Sequence, residues 1–270
     1  MSGGKAAVRA AVVQMASCGD KQRNLSKARG MMGEAADAGA EMVLLPEFFN
    51  FLPARTAWEG YEEQAEGIGG ETLSMLSDAA KRRGICIIAG SMAERDGGRI
   101  YNTCFAVAPD GIVAKYRKTH LFSYGGINEA QIFTPGDRIG LAEVAGLRIG
   151  MTTCFDLRFP ELYRKITMEG AQVITNVASF LMETGRAHWM TLLRARAIEN
   201  QVYVVAANQA LSDGPGAHYY GHSCIIDPWG RVLARAGTEE CIISAVISAA
   251  MVEQVRRRLS CIEAAKAARF

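Results

Sequence analysis

Apolar residues recur along this chain in two rhythms. Short runs rich in Val, Ile and Leu, with the length and composition of buried strands, occupy Val8 to Met15, Met42 to Leu45, Ile85 to Ala89, Tyr101 to Ala108 and Ile112 to Tyr116. Five more follow at Leu147 to Thr152, Val173 to Val177, Val202 to Ala207, Ser223 to Asp227 and Cys241 to Ile247. Between several of them the period becomes helical. In Asn24 to Ala38 an Asn suited to the N-cap precedes a stripe of Leu25, Ala28, Met31, Met32 and Ala35, and Thr72 to Arg83, Pro160 to Glu169 and Ala187 to Asn200 read likewise. Turn residues at Asp96-Gly97-Gly98, Pro109-Asp110-Gly111 and Asp227-Pro228-Trp229-Gly230 predict hairpins. The pattern predicts an α/β chain whose sheets are covered by helices, with some antiparallel pairing. No composition shift, linker or internal repeat divides it, so one domain over 1–270 is expected. Glu62 to Gly70 and Phe122 to Gly136 lack periodicity, and loops of that length tend to be functional.

Composition narrows the class. Of the 270 residues, 49% are hydrophobic and 21% charged, enough for a large core and too apolar for disorder. Thirty basic and 28 acidic residues are interspersed for a net +2, which offers no field for nucleic acid or a membrane surface. The basic run Arg256-Arg257-Arg258 reads as a solvated helix face. Seven cysteines, an odd number widely spaced and mostly in apolar runs, read as reduced thiols. Met1 to Lys5 leads into no signal-peptide core, and no apolar stretch has the length of a membrane helix. A cytoplasmic protein is expected.

Three positions carry candidate chemistry. Cys154 follows a strand-like run and precedes Pro160, a first-turn residue, so its thiol sits where a helix N-terminus stabilises a thiolate. Taken alone it reads as a buried structural Cys, and the polar neighbours Asp156, Arg158 and Glu161 bring the two readings level. A nucleophilic thiol needs a base. None of the four His residues lies in a cysteine-protease-like signature, but Glu47 ends the strand Met42 to Leu45 among Phe48, Phe49 and Phe51, where a carboxylate is either partly desolvated or simply solvated. Lys118, after the strand ending near Tyr116, is either ordinary surface or an ammonium that lowers a thiol's pKa and holds an oxyanion.

Together these stretches resemble the carbon-nitrogen hydrolase (nitrilase) superfamily, whose signature is a Glu, a Lys and a Cys in that order. The matching residues are Leu44-Leu45-Pro46-Glu47, Tyr116-Arg117-Lys118-Thr119-His120-Leu121-Phe122 and Cys154-Phe155-Asp156-Leu157-Arg158-Phe159-Pro160-Glu161. The likeness continues through Thr184 to Trp189, Leu192 to Asn200, Gly221-His222-Ser223 and Asp227 to Gly230, covering about residues 7 to 247. It implies a four-layer αββα sandwich that assembles as a homodimer or higher homo-oligomer, with the tail at about 248–270 near the dimer contact. By the same resemblance Glu47 is the general base, Cys154 the nucleophile, and Lys118 with the backbone N–H of Phe155 the oxyanion site. Glu129, six residues before Pro135-Gly136, matches the family's second glutamate.

The implied reaction is hydrolysis of a small carboxamide through a thioester, with ammonia leaving and no metal or organic cofactor required. His218 and His222 have a metal-pair spacing but no third ligand nearby, so no metal site is expected. Cys154-Phe155-Asp156 falls with the amidase-type branches. The ω-amidases, which act on short dicarboxylic monoamides, carry a longer segment than Ser123 to Asn128, and carbamoyl-amino-acid hydrolases carry two adjacent arginines where Leu157 precedes Arg158 here. N-carbamoyl hydrolysis and nitrile hydrolysis on the same triad are the alternatives, and a non-catalytic scaffold is the reading from another class. Arg158, Phe48, Tyr124 and Phe180 are candidate substrate contacts, and Arg158 and Glu161 are expected to order the Cys154 turn by ion pairing, although Arg158 serves equally to bind a substrate carboxylate.

Overall fold

The computed structural model describes residues 7–53, 59–212 and 218–268. The Met1 to Lys5 segment lies outside them. Two six-stranded sheets form the centre. The first runs, edge to edge, Cys241–Ile247, Val8–Gln14, Met42–Leu44, Cys86–Asp96, Arg99–Ala108 and Gly111–Arg117. The second runs Val232–Arg235, Cys224–Ile226, Tyr203–Asn208, Val173–Ala178, Leu147–Thr153 and Gly140–Val144. In each sheet the middle strands are parallel and the flanking strands antiparallel.

Strand alternation assigns the faces. Ala10 and Val12 point to the core shared with the second sheet, which includes Ile149, Met151 and Val205. Their neighbours Ala11 and Val13 pack with Leu25, Ala28, Met32, Leu73 and Leu76 of the helices Lys21–Asp37 and Glu71–Arg83. The helices Pro160–Met168 and Met190–Asn200 cover the second sheet through Ile166, Leu193 and Ala197. The result is the expected four-layer αββα sandwich. Because the middle strands are covered on both faces, Val173–Ala178 and Tyr203–Asn208 are buried at every residue, which is why they read as continuous apolar runs.

Boundaries moved where a competing group won. The first helix begins at Lys21, capped by Asp20, whose side chain accepts from the Arg23 N–H. Asn24 is instead buried within the helix, and its amide ties Cys18 to Asn50. The segment ahead of Met190 is a π-turn over Gly185–Trp189. The edge strands Gly140–Val144 and Val232–Arg235 are short and partly exposed, and escaped the apolar-run criterion. Of the basic run, Arg257 and Arg258 are exposed on the helix Ala249–Arg258, whereas Arg256 is half-buried and donates to the Ala171 carbonyl. All seven cysteines lie among the described residues and none forms a disulfide; three of them are buried. Among the described residues no helix is long and apolar enough to cross a membrane.

The parallel strands of both sheets point their carboxyl ends to one place, the position where α/β sheets present ligand-binding groups. Pro46-Glu47 follows Met42–Leu44, Cys154 follows Leu147–Thr153, Ser179 follows Val173–Ala178, and Gln209 follows Tyr203–Asn208. A bulge at Gly90 makes room there. A Cβ on that residue would stand 1.9 Å from the Pro46 carbonyl oxygen, so the Glu47 loop lies against bare backbone.

Candidate active site

Glu47 is wholly inaccessible to solvent, and a carboxylate there must be compensated. Four donors do so. Its Oε1 accepts from Lys118 Nζ and Asn102 Nδ2, each at 2.9 Å, and its Oε2 accepts from the Ser179 N–H at 2.8 Å and Ser179 Oγ at 2.6 Å. The Gln209 side chain fixes the loop by donating to the Glu47 carbonyl at 2.8 Å. Burial pushes the carboxyl upward, but the Lys118 ammonium and the hydrogen bonds from Ser179, Lys118 and Asn102 outweigh it and hold Glu47 below the usual carboxylate range.

Lys118, 1% exposed, bridges two carboxylates. Beside Glu47 it meets Glu129, with Nζ 2.9 Å from Oε1 and 2.8 Å from Oε2. Glu129 is held in turn by the Phe122 N–H, which donates to its Oε2 at 2.8 Å. Burial favours a neutral lysine, yet the two carboxylates prevail and raise its pKa well above the ordinary value. Glu129 is raised, first by burial and then by Glu47, against the pull of Lys118. The two acids are thus shifted in opposite directions, Glu47 toward its ionised form.

Cys154 stands at the turn out of Leu147–Thr153 with φ +47°, a left-handed conformation unusual for a residue with a Cβ. Burial, then the Glu47 charge, push its thiol well above the ordinary value, with Lys118 and the Ser179 N–H opposing. The resting pattern is therefore a protonated thiol beside an ionised carboxylate.

The turn is not ordered by Arg158 and Glu161 as expected. Among the described residues neither forms an ion pair, and Glu161 is exposed. The wholly buried Asp156 does that work. It accepts from the Thr153 N–H at 2.9 Å, Tyr116 OH at 2.7 Å and the His120 N–H at 3.1 Å, and its Oδ1 lies 2.7 Å from His120 Nδ1. One carboxylate thus ties the Cys154 turn to the segment that carries Lys118. Asp156→Asn places an NH2 among these donors, and chemical denaturation is expected to show a loss of about 3 kcal/mol.

The groups face a cavity of about 700 Å³, its open mouth included. Phe48, Phe155, Arg158 and Phe180 line it with Glu47, Glu129 and Cys154. Tyr124 does not. It is 42% exposed and its OH donates to Glu183 at 3.0 Å, because the short hairpin Ser123–Asn128 turns Phe122 and Ile127 inward instead. Arg158 lies over the Phe155 and Phe180 rings with Nη1 3.1 Å from His188 Nδ1, so it is a cavity cation without a carboxylate partner among the described residues. Sequence reasoning missed Ser179, Asn102, Tyr61 and Tyr219. Tyr61 packs against Phe48 with ring centroids 4.6 Å apart and lines the wall, but belongs to no pattern legible along the chain. Among the described residues no group of His, Cys, Asp and Glu is arranged to hold a metal.

A four-layer αββα sandwich whose strand ends bring Glu47 and Cys154 to one cavity, with Lys118 bonded to Glu47, defines a class of hydrolase acting on carbon–nitrogen bonds. The chain belongs to the carbon-nitrogen hydrolase family, whose profile matches residues 9–257. It is 40% identical over 257 residues to Omega-amidase NIT2 of Xenopus tropicalis, across 93% of this chain and 92% of that one. Among solved structures, Saccharomyces cerevisiae Nit3, a member of branch 10 of the nitrilase superfamily, superposes with a TM-score of 0.87 at 30% identity over 94% of this chain and 95% of its own. The XC1258 protein of Xanthomonas campestris, a CN-hydrolase superfamily protein with an arsenic adduct in its active site, gives 0.87 at 30% identity over 98% of both.

Proposed function

We propose that the protein hydrolyses a short carboxamide to the carboxylic acid and ammonia through a thioester on Cys154. The observation that carries this reading is geometric: Cys154 and the buried Glu47 line one cavity, and Lys118 Nζ locks the Glu47 carboxylate at 2.9 Å. Glu47 takes the thiol proton as sulfur attacks the carbonyl carbon. The oxyanion forms beside the Lys118 ammonium and the N–H of Phe155, which stands in the first turn of a short helix where N–H groups lack intrahelical partners. Glu47 then passes its proton to the leaving nitrogen, and ammonia departs. Water, deprotonated by the same carboxylate, opens the thioester and the thiol recovers its proton. Glu129 positions Lys118 and balances its charge.

The substrate is an amide with a carboxylate at its far end. Two facts support this: relatives at about 40% identity are named omega-amidases, and Arg158, without a carboxylate partner among the described residues, faces a cavity lined mostly by apolar side chains. Ammonia release from dicarboxylic monoamides, simple aliphatic amides, carbamoyl amino acids and nitriles tests the reading. The monoamides are expected to turn over best, and Arg158→Met to raise their KM about 10- to 100-fold with kcat little changed and simple amides unaffected. Equal KM changes for charged and uncharged amides would remove Arg158 from recognition, and release from carbamoyl compounds or nitriles alone would replace the amide reading.

A further inference from the structure

The four partners of Glu47 are not equivalent. An ammonium, a side-chain amide NH2 and a backbone N–H can only donate, whereas a hydroxyl both donates and accepts. Around Oε1 stand Lys118 Nζ and Asn102 Nδ2, and around Oε2 the Ser179 N–H and Ser179 Oγ. The Ser179 hydroxyl alone can reverse its role by turning about a single C–O bond, whereas Asn102 would have to flip its whole amide to present Oδ1. This matters because a general base in this reaction carries a proton twice per turnover. A proton on Oε1 would face two groups that donate as they stand, while a proton on Oε2 has an acceptor 2.6 Å away.

We propose that Ser179 is a positioning residue acting through Glu47: its hydroxyl donates to Oε2 while the carboxylate is ionised and turns to accept from Oε2 while Glu47 carries the catalytic proton. The inference rests on the reading of Glu47 as the base. The proton balance is simple. It comes from the Cys154 thiol, resides on Glu47 Oε2 and leaves with the departing nitrogen, and Ser179 keeps its own proton throughout. Rotation of one hydroxyl is the only rearrangement needed, so the buried carboxylate changes charge without leaving a donor facing a donor at that oxygen.

The surroundings fix this contact from both sides. Ser179 ends a fully buried strand of the second sheet, and the next residue is anchored by its N–H donating to Asn208 Oδ1 at 2.7 Å. Glu47 belongs to the first sheet and is anchored through its carbonyl by Gln209, whose own N–H donates to the Ala178 carbonyl at 3.0 Å. Adjacent residues of one strand end, Asn208 and Gln209, thus hold the hydroxyl and the carboxylate in register across the two sheets. Ser179 also lines the cavity that Glu47 and Cys154 line.

The test is kcat and KM against pH for the parent, Ser179→Ala and Ser179→Thr. The Ala variant is expected to lose about 10- to 100-fold in kcat with KM within about threefold of the parent. The acid limb of kcat/KM is expected to move up by about half to one pH unit, because a charge-assisted bond to the ionised form is stronger than a neutral bond to the protonated form. Ser179→Thr, which keeps a hydroxyl, is expected to restore both. Ser179→Gly reads the same loss of hydroxyl should the Ala variant fold poorly. A hydroxyl-free variant with the parent's kcat and acid limb would overturn the inference, as would equal losses in the Ala and Thr variants. Glu47→Gln run beside them separates the two readings: if it is inactive while Ser179→Ala is unchanged, only the Ser179 inference falls, and if it is active the base assignment falls first.

Discussion

Cys154→Ala is expected to reduce ammonia release by at least about 10⁴-fold while shifting stability by no more than about 1 kcal/mol. The rate loss follows from removing the only atom that can form the thioester. No neighbour replaces it, since Ser179 Oγ donates to Glu47 and the nearest other acid, Glu129, is committed to Lys118 and the Phe122 N–H. The small effect on folding follows from what holds the turn. Asp156, not the sulfur, bonds the Thr153 N–H, Tyr116 and His120, and Ala keeps the Cβ that the backbone at φ +47° already accommodates. Ammonia assays and thermal unfolding of the same preparation check both halves. A variant that is inactive and also unfolded would show that the cavity depends on the thiol's packing.

Glu47→Gln is expected to be nearly as damaging to the rate, about 10³-fold or more, and also to destabilise the protein by about 3 kcal/mol. The two consequences have separate causes. An amide cannot take the thiol proton, so attack would have to proceed from the small thiolate fraction of a group that burial already keeps protonated. The amide NH2 also fits neither position well. Facing Oε1's position it meets the donors Lys118 Nζ and Asn102 Nδ2, and facing Oε2's it finds an acceptor in Ser179 Oγ but confronts the Ser179 N–H. Lys118, itself only 1% exposed, would retain only one of its two carboxylates. Kinetics and denaturant unfolding separate these effects, because Asp156→Asn is expected to cost similar stability without removing a proton carrier.

The fold was legible where apolar runs were long and doubly covered, as at Val173–Ala178 and Tyr203–Asn208. It was not legible at Val232–Arg235, whose side chains are mostly exposed and carry no strong period. At the site, Glu47, Lys118 and Cys154 could be placed because each follows a strand and matches a motif in a fixed order. Their mutual contacts span separations of up to 71 residues for the Lys118 to Glu47 pair, and a linear reading could not supply them. Ser179 lies 132 residues from the carboxylate it touches and sits in an apolar stretch where a serine carries no signal. Asp156 was visible as a polar neighbour of Cys154, but its role depends on Tyr116 and His120 arriving from the other sheet. Tyr124 misled because a cavity-facing aromatic and an outward one look alike in sequence, and only the turn of its hairpin separates them.

The central claim is a covalent acyl-enzyme on Cys154. Acid-quenched samples from a single turnover with a dicarboxylic monoamide, measured by intact mass and peptide mapping, test it most directly. The account predicts a transient mass increase equal to the acyl group, confined to the peptide containing Cys154, discharged by hydroxylamine and absent from Cys154→Ala. Continued turnover by Cys154→Ala, with no adduct on any peptide of the parent at any time, would contradict it.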